Sequence, residues 1–340
     1  MAYGGGGGGG SGGGGGSGYG RGKTLIKKNL YYVNRLTTDS ESKPKEGFGS
    51  RGLFTGNFVP PWMNTVDYFS IGTCSNTVDF GDLTRARHTP GDASDGARAV
   101  MAGGIYNGPE TAETTMDYVA VKTTSNAIDF AELNQGRGYL NGGASDGNRG
   151  VIGGGHCPAD PYTNSMDYWP IGIPGTNATD FGNLAEACLA PGGTSGSGRG
   201  VWCNGWNPGN DDTLQYISIG VPVATASDFG NTTQARHASG AGSNGYRGVV
   251  LSGQPGIDTI DYFTFLNTSN GVDFGESLYP GGYMSCMNDG NRGAYAMNSE
   301  SLPTPLLGLM HYVTISTASN SVEFGQAGHR LSSAGATQGE

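Results

Sequence analysis

Arginine and carboxylate recur together along this 340-residue chain, and that pairing is the first candidate for chemistry. Arg51, Arg98, Arg149, Arg199, Arg247 and Arg292 stand 47, 51, 50, 48 and 45 residues apart. Each is followed by an aromatic (Tyr68, Tyr118, Tyr168, Tyr216, Tyr262, Tyr312). An acidic residue before Phe comes next, at Asp79, Asp129, Asp180, Asp228, Asp273 and Glu323. In an active site a guanidinium beside a carboxylate binds an anionic group or holds a general base in place. Such a constellation is needed once, whereas a set that returns in six units does the same job six times. These arginines and acids are therefore read as structural. Each Arg is expected to pair with, or hydrogen-bond across to, the acid of an acid-Phe or acid-Tyr pair.

The remaining reactive residues form no constellation. His88 and His237 share a position after Ala-Arg and read as structural; His156, His311 and His329 share no register. HxxxH and HExxH are both absent. Five cysteines (Cys74, Cys157, Cys188, Cys203, Cys286) contain no CxxC and are odd in number, which argues against a zinc site or a disulfide framework. The Asp-x-Asp-x-Asp-Gly calcium loop is missing, as is a Gly-x-Ser-x-Gly elbow. Gly20-Arg-Gly-Lys-Thr24 grazes the phosphate-loop pattern but has Ser17 where the first Gly is required, with no apolar strand ahead of it. The expectation is no catalytic residue, no metal, no cofactor and no enzymatic activity.

What positions these residues is a repeat of short strands. A unit opens on an apolar run ending in Gly, such as Arg149-Gly-Val-Ile-Gly-Gly, and continues with an alternating run such as Met116-Asp-Tyr-Val-Ala-Val. A Ser/Thr-Asn turn (Ser125-Asn126, Ser319-Asn320) leads to acid-Phe-Gly-x-Leu and Ala-Arg, as in Asp79-Phe-Gly-Asp-Leu-Thr-Arg-Ala-Arg87. A Gly/Ala/Ser stretch such as Gly142-Gly-Ala-Ser145 is read as a fourth, small-residue strand. Four strands in roughly 50 residues, repeated six times, predict an all-β fold and a β-propeller of six blades. The count rises to seven if Leu30–Thr38, which echoes Met116–Thr124, is a degenerate unit rather than an anchoring strand. The last unit lacks an Arg-Gly strand of its own and the first begins with one, so the two ends are expected to share a blade and close the ring. An open solenoid is the runner-up.

The order apolar-Gly-Gly, variable loop, acid-Tyr, turn, aromatic, Leu-x-x-Ala-Arg resembles the kelch repeat, with acid-Phe where kelch has Trp and a shorter segment before the Gly-Gly strand. Units such as Thr123-Thr-Ser-Asn-Ala-Ile-Asp-Phe-Ala-Glu-Leu133 more closely resemble repeats of phage and other viral tail-fibre or virion proteins, over residues 47–330. The resemblance implies a virion structural protein, in a tail fibre or related appendage.

Three segments are expected: a glycine-rich tail at 1–22 (15 glycines), a basic linker or anchoring strand at 23–46, and the propeller at 47–340. Residues 1–46 carry net charge +4 and the remainder −14. An acidic body excludes nucleic-acid binding through phosphate contacts. The N-terminus lacks the apolar core of a signal peptide, and no apolar run spans a membrane. The arm is assigned to attachment to other virion proteins, or to homo-oligomeric assembly through its polyglycine.

The loop between the Gly-Gly and Tyr strands differs in every unit: Phe58-Val-Pro-Pro-Trp62, Ile105-Tyr-Asn-Gly-Pro109, His156–Tyr162, Asn204–Asn210, Gln254-Pro-Gly-Ile257 and Leu302–Gly308. In a propeller these loops emerge on one face, where rigid aromatics supply contact area at low entropic cost. Trp62, Tyr106, Tyr162 and Trp206 are the candidate binding residues for a host surface protein or glycan. The alternatives are a cytoplasmic kelch-type interaction scaffold using the same loops, and a propeller enzyme with an axial site.

Overall fold

The computed structural model describes residues 49–57, 63–106, 111–222, 224–296, 308–328 and 335–339. The glycine-rich tail, the basic linker with Leu30–Thr38, Trp62, His329 and Arg330 lie outside them. The described residues form six antiparallel blades, with no helix among them, in a β-propeller.

Blade 2 shows the pattern. Its strands run from the axis outward as Gly91–Ser94, Arg98–Ala102, Thr115–Ala120 and Ile128–Glu132. The small-residue stretch is thus the innermost strand, where facing backbones crowd and bulky side chains do not fit. The other blades repeat this order; blade 3 adds a short parallel strand, Ala224–Thr225, outside Thr179–Asn183. In blade 1 the innermost strand is Gly335–Gly339, paired antiparallel to Arg51–Asn57 with Arg51 opposite Gly339. The first and last described strands therefore complete one blade. Closure leaves no free edge at that joint.

Each Ser-Asp-Gly-x-Arg hairpin between the first two strands is built on side-chain caps. The Asp146 carboxylate accepts from the Asn148 and Arg149 amides at 2.9 and 2.8 Å, and Ser145 Oγ accepts from Gly147 N at 3.0 Å. Gly147 sits at φ +81°, which favours glycine. Asp95, Asn244 and Asp289 cap their hairpins in the same way.

The hydrophobic core is six separate cores, one in each gap between neighbouring blades. Between blades 1 and 2, Leu53, Val66, Phe80 and Leu83 meet Ala99, Met101, Val119 and Val121, all buried. Trp169 and Trp202 fill the next two gaps and are fully buried.

The repeat arginines are the correction to the sequence reading. None pairs with the acid expected of it. Each guanidinium lies over the Tyr ring of its own blade, from 4.3 Å (Arg247 on Tyr262) to 5.7 Å (Arg149 on Tyr168). Each also donates to a backbone carbonyl of the next blade: Arg51 to Lys122 at 2.7 Å, Arg98 to Ile171 at 2.7 Å, Arg149 to Ile219 at 3.2 Å. Arg199 reaches Phe265 at 2.6 Å, Arg247 Ser316 at 3.1 Å, and Arg292 returns to Gly72 of blade 1 at 3.0 Å. The Tyr ring in turn packs edge-on against the Phe of the acid-Phe pair in every blade, as Tyr68 does on Phe80 at 5.8 Å. The guanidinium is thus held between the negative potential of the Tyr face and a neutral carbonyl acceptor.

The acids have other duties. Asp79, Asp180, Asp228 and Asp273 each accept from the amide two residues on, closing a turn around the bulge in the outer strand. The acid before Tyr belongs instead to the arginine of Ala-Arg or Gly-Arg in the preceding unit. Arg87 meets Asp117 at 2.9 Å and Arg137 meets Asp167 at 2.6 Å, and Arg236 pairs with Asp261; all six side chains are buried.

Candidate recognition face

Among the described residues two sets of connections share one face: the variable loops of blades 3 to 5 with the described part of that of blade 2, and the loops that carry the outer strands of blades 1 to 5 back to the axis. The return loops reach the axis through a residue held at positive φ. Thr89, Tyr139, Ala190, Ala238 and Tyr283 occupy this position in five units, all between 52° and 54°. None is glycine, so each costs on the order of 1 kcal/mol in backbone strain. The residue before it forms a single bridge to the variable loop: His88 to Ile105, Gly138 to His156, Leu189 to Trp206 and His237 to Gln254. Loop and return segment are thereby locked together.

This convergence assembles two aromatic series beside the axis. His88 meets Tyr139 edge-on at 5.9 Å, and Tyr139 meets His156 at 6.0 Å. On the other side Trp206 meets His237 at 5.1 Å, and His237 meets Tyr283 at 6.3 Å. His237 Nδ1 lies 2.7 Å from Asn210 Oδ1. Burial lowers the pKa of His237 and brings His88 down to about 4, so both imidazoles are neutral near pH 7. Tyr139, His156, Trp206, His237 and Tyr283 present half-buried rings and hydrogen-bonding edges, while His88 is buried beneath them.

Of the residues expected to bind, Trp206 sits within the second series. Tyr106 lies apart from it, half-buried beneath the Arg85 guanidinium at 4.7 Å, which is itself paired to Glu113 at 2.8 Å. Tyr162 is half-buried on the third loop, its amide donating to Asp160. The structure does not bring Tyr106, Tyr162 and Trp206 into one contact cluster. Tyr139 and Tyr283 were not singled out from the sequence, although they are aromatics at a repeat position that elsewhere holds Thr or Ala; His237 was read there as structural, and His156 only as the start of the third variable loop.

The inner strands of blades 2 to 6 line a cavity at the axis. Asp92, Ser94, Asn141, Ser145, Ser195 and Asn288 are among the residues lining this cavity, which has a free volume of about 50 Å³, room for one or two waters. Asp92 is the one carboxylate among its described lining residues. No group of three or more His, Cys, Asp or Glu placed to hold a metal ion occurs among the described residues. All five cysteines are free thiols, and burial pushes the Cys188 thiol up to about 12. No helix among the described residues is long and apolar enough to cross a membrane.

No protein-family model and no curated protein matches the chain.

Proposed function

We propose that this protein is a non-enzymatic recognition propeller, serving as a virion structural component in a tail fibre or related appendage. One observation carries the recognition role. The arginine contacts and turn caps recur from blade to blade, whereas the edge-on His–Tyr contact of the variable-loop face is made at two places among the described residues, His88–Tyr139 and His237–Tyr283, each extended by a different ring, His156 or Trp206. Features held in common maintain the ring, so those that vary are free to serve a ligand. Half-buried aromatic rings with hydrogen-bonding edges suit a host surface glycan or a polar protein surface. The particle setting rests on the resemblance of the repeats to viral tail-fibre repeats, and the N-terminal arm is assigned to attachment.

Mass spectrometry of purified particles, combined with a glycan-array and host-surface binding screen of the full chain, tests both parts. Detection in particles is expected, with surface binding lost in Trp206→Ala and Tyr283→Ala. Absence from particles together with no surface binding overturns the reading.

A further inference from the structure

The opposite face carries a second pattern, which the recognition role leaves unused. It is formed by the Ser/Thr-Asn turns and the hairpins at the axis. Nine large apolar side chains among the described residues are highly exposed, and eight of them lie on this turn face. Val78, Ile128, Val272 and Val322 open the outer strands of four blades, each between 52% and 59% exposed. Ile173, Val221 and Leu266 sit in the turns beside them, and Tyr246 in an inner hairpin. Only Leu278 belongs to the other face.

An exposed acid follows directly on that first outer-strand position in every blade: Asp79, Asp129, Asp180, Asp228, Asp273 and Glu323. Counting Asp95, Asp146 and Asp289 of the inner hairpins, nine carboxylates among the described residues of this face stand against seven cations, the six repeat arginines and Lys122. The repeat arginines on this face are stacked on Tyr and bonded to carbonyls, and Lys122 is the only lysine among the described residues. Both ends of the propeller also lead here, because Arg51 and Gly339 are paired at this end of blade 1.

From this we infer that the turn face is an interaction surface for a protein partner whose own surface sets lysine or arginine side chains among aliphatic ones. The alternation of aliphatic and acid at the start of each outer strand is complementary to such a partner: apolar area meets the valines and lysine stems, and cations meet the ring of carboxylates. A second copy in face-to-face contact is disfavoured, because it would oppose two rings of like charge. The inference stands independently of the virion reading, since it uses neither the variable loops nor the repeat resemblance.

The test is fluorescence anisotropy in solution with the full chain and a labelled 12-residue peptide of alternating Lys and Val. A Glu/Val peptide and a Lys/Ser peptide serve as comparisons. The Lys/Val peptide is expected to bind in a salt-sensitive manner, the Lys/Ser peptide at least tenfold more weakly, and the Glu/Val peptide not at all. Two turn-face variants are each expected to weaken Lys/Val binding at least tenfold. One is Asp79→Asn, Asp228→Asn and Asp273→Asn, which keeps an acceptor for the turn amide; the other is Val78→Ser, Val272→Ser and Val322→Ser. An equal-charge control on the other face, Asp160→Asn, Asp212→Asn and Asp258→Asn, is expected to stay within twofold. Absent Lys/Val binding, or equal weakening by the control, overturns the inference. So does self-association in sedimentation that the turn-face variants abolish, which would assign the face to a second copy.

Discussion

Replacing Asp117 by Gln leaves the Arg87 guanidinium buried without its carboxylate. The loss can be worked from the geometry. Asp117 takes the Arg87 ion pair at 2.9 Å, the Thr84 hydroxyl at 2.6 Å and the Thr84 amide at 3.2 Å, and both charged side chains are fully buried. Burial already pulls the Arg87 pKa down, and the Asp117 carboxylate opposes that pull. Removing one partner of such a pair costs about 3–5 kcal/mol, mostly because the other charge stays desolvated. In a domain of this size that is a fall of roughly 2 °C in melting temperature per kcal/mol. The chain itself supplies the control. Where the arginine position is Cys188, the following acid position is Gln215, and the Gln215 amide oxygen accepts from Glu186 N at 2.9 Å instead. Arg87→Cys together with Asp117→Gln imports that neutral pair. The double variant is expected to be less destabilised than the sum of the single variants by at least 2 kcal/mol, a coupling of the size seen for networked residues. A double-mutant cycle in urea measures it. Additivity within about 0.5 kcal/mol would refute the idea that these residues act as one unit across the blade gap.

Two further outcomes follow from the same structure. His311 is fully buried between Tyr279 and Tyr295, and burial holds its pKa at about 4, below the ordinary 6.5. The unfolded chain then binds more protons than the folded one between pH 6.5 and 4, so stability is present above that window and is lost as pH falls through it, by up to about 3 kcal/mol for this group; His311→Gln should flatten the acid limb of a stability-versus-pH curve measured by urea denaturation. Deleting Gly335–Glu340 uncovers the Arg51–Asn57 strand along its length, and the truncated chain is expected to associate edge to edge, seen as a higher mass in sedimentation and loss of a cooperative melt; a monomeric truncation with an unchanged melt would contradict the shared-blade closure.

Much of the ring was readable in the chain because a repeat states its own architecture. The 45–51-residue spacing and the small-residue stretches located the blades and their innermost strands, and the missing Arg-Gly strand of the last unit pointed to the shared blade. Partner choice was harder. Two arginine classes recur with nearly the same period, one opening the second strand and one following Ala or Gly, and period alone does not say which of them meets the acid. A finer signal was present. The Ala-Arg or Gly-Arg position becomes Cys188 and Gly281 in the units directly before those in which the acid-Tyr acid becomes Gln215 and His311. The aromatic series was less accessible, because Trp206, His237 and Tyr283 come together only when loops from different blades converge on the axis.

The arginine contacts all run the same way, from each blade to the one after it, so every joint has a giving side and a receiving side. A blade is thus like a link with a hook at one end and an eye at the other, and the ring is a chain of such links closed on itself. Copying one link supplies both halves of a working joint at once. Even the joint from blade 3 to blade 4, where the buried ion pair has been exchanged for Cys188 and Gln215, keeps its hook, with Arg149 on the Ile219 carbonyl at 3.2 Å. A fold of this kind can gain or lose units by duplication and deletion without inventing a new contact; only the curvature needed to meet its own beginning limits the count.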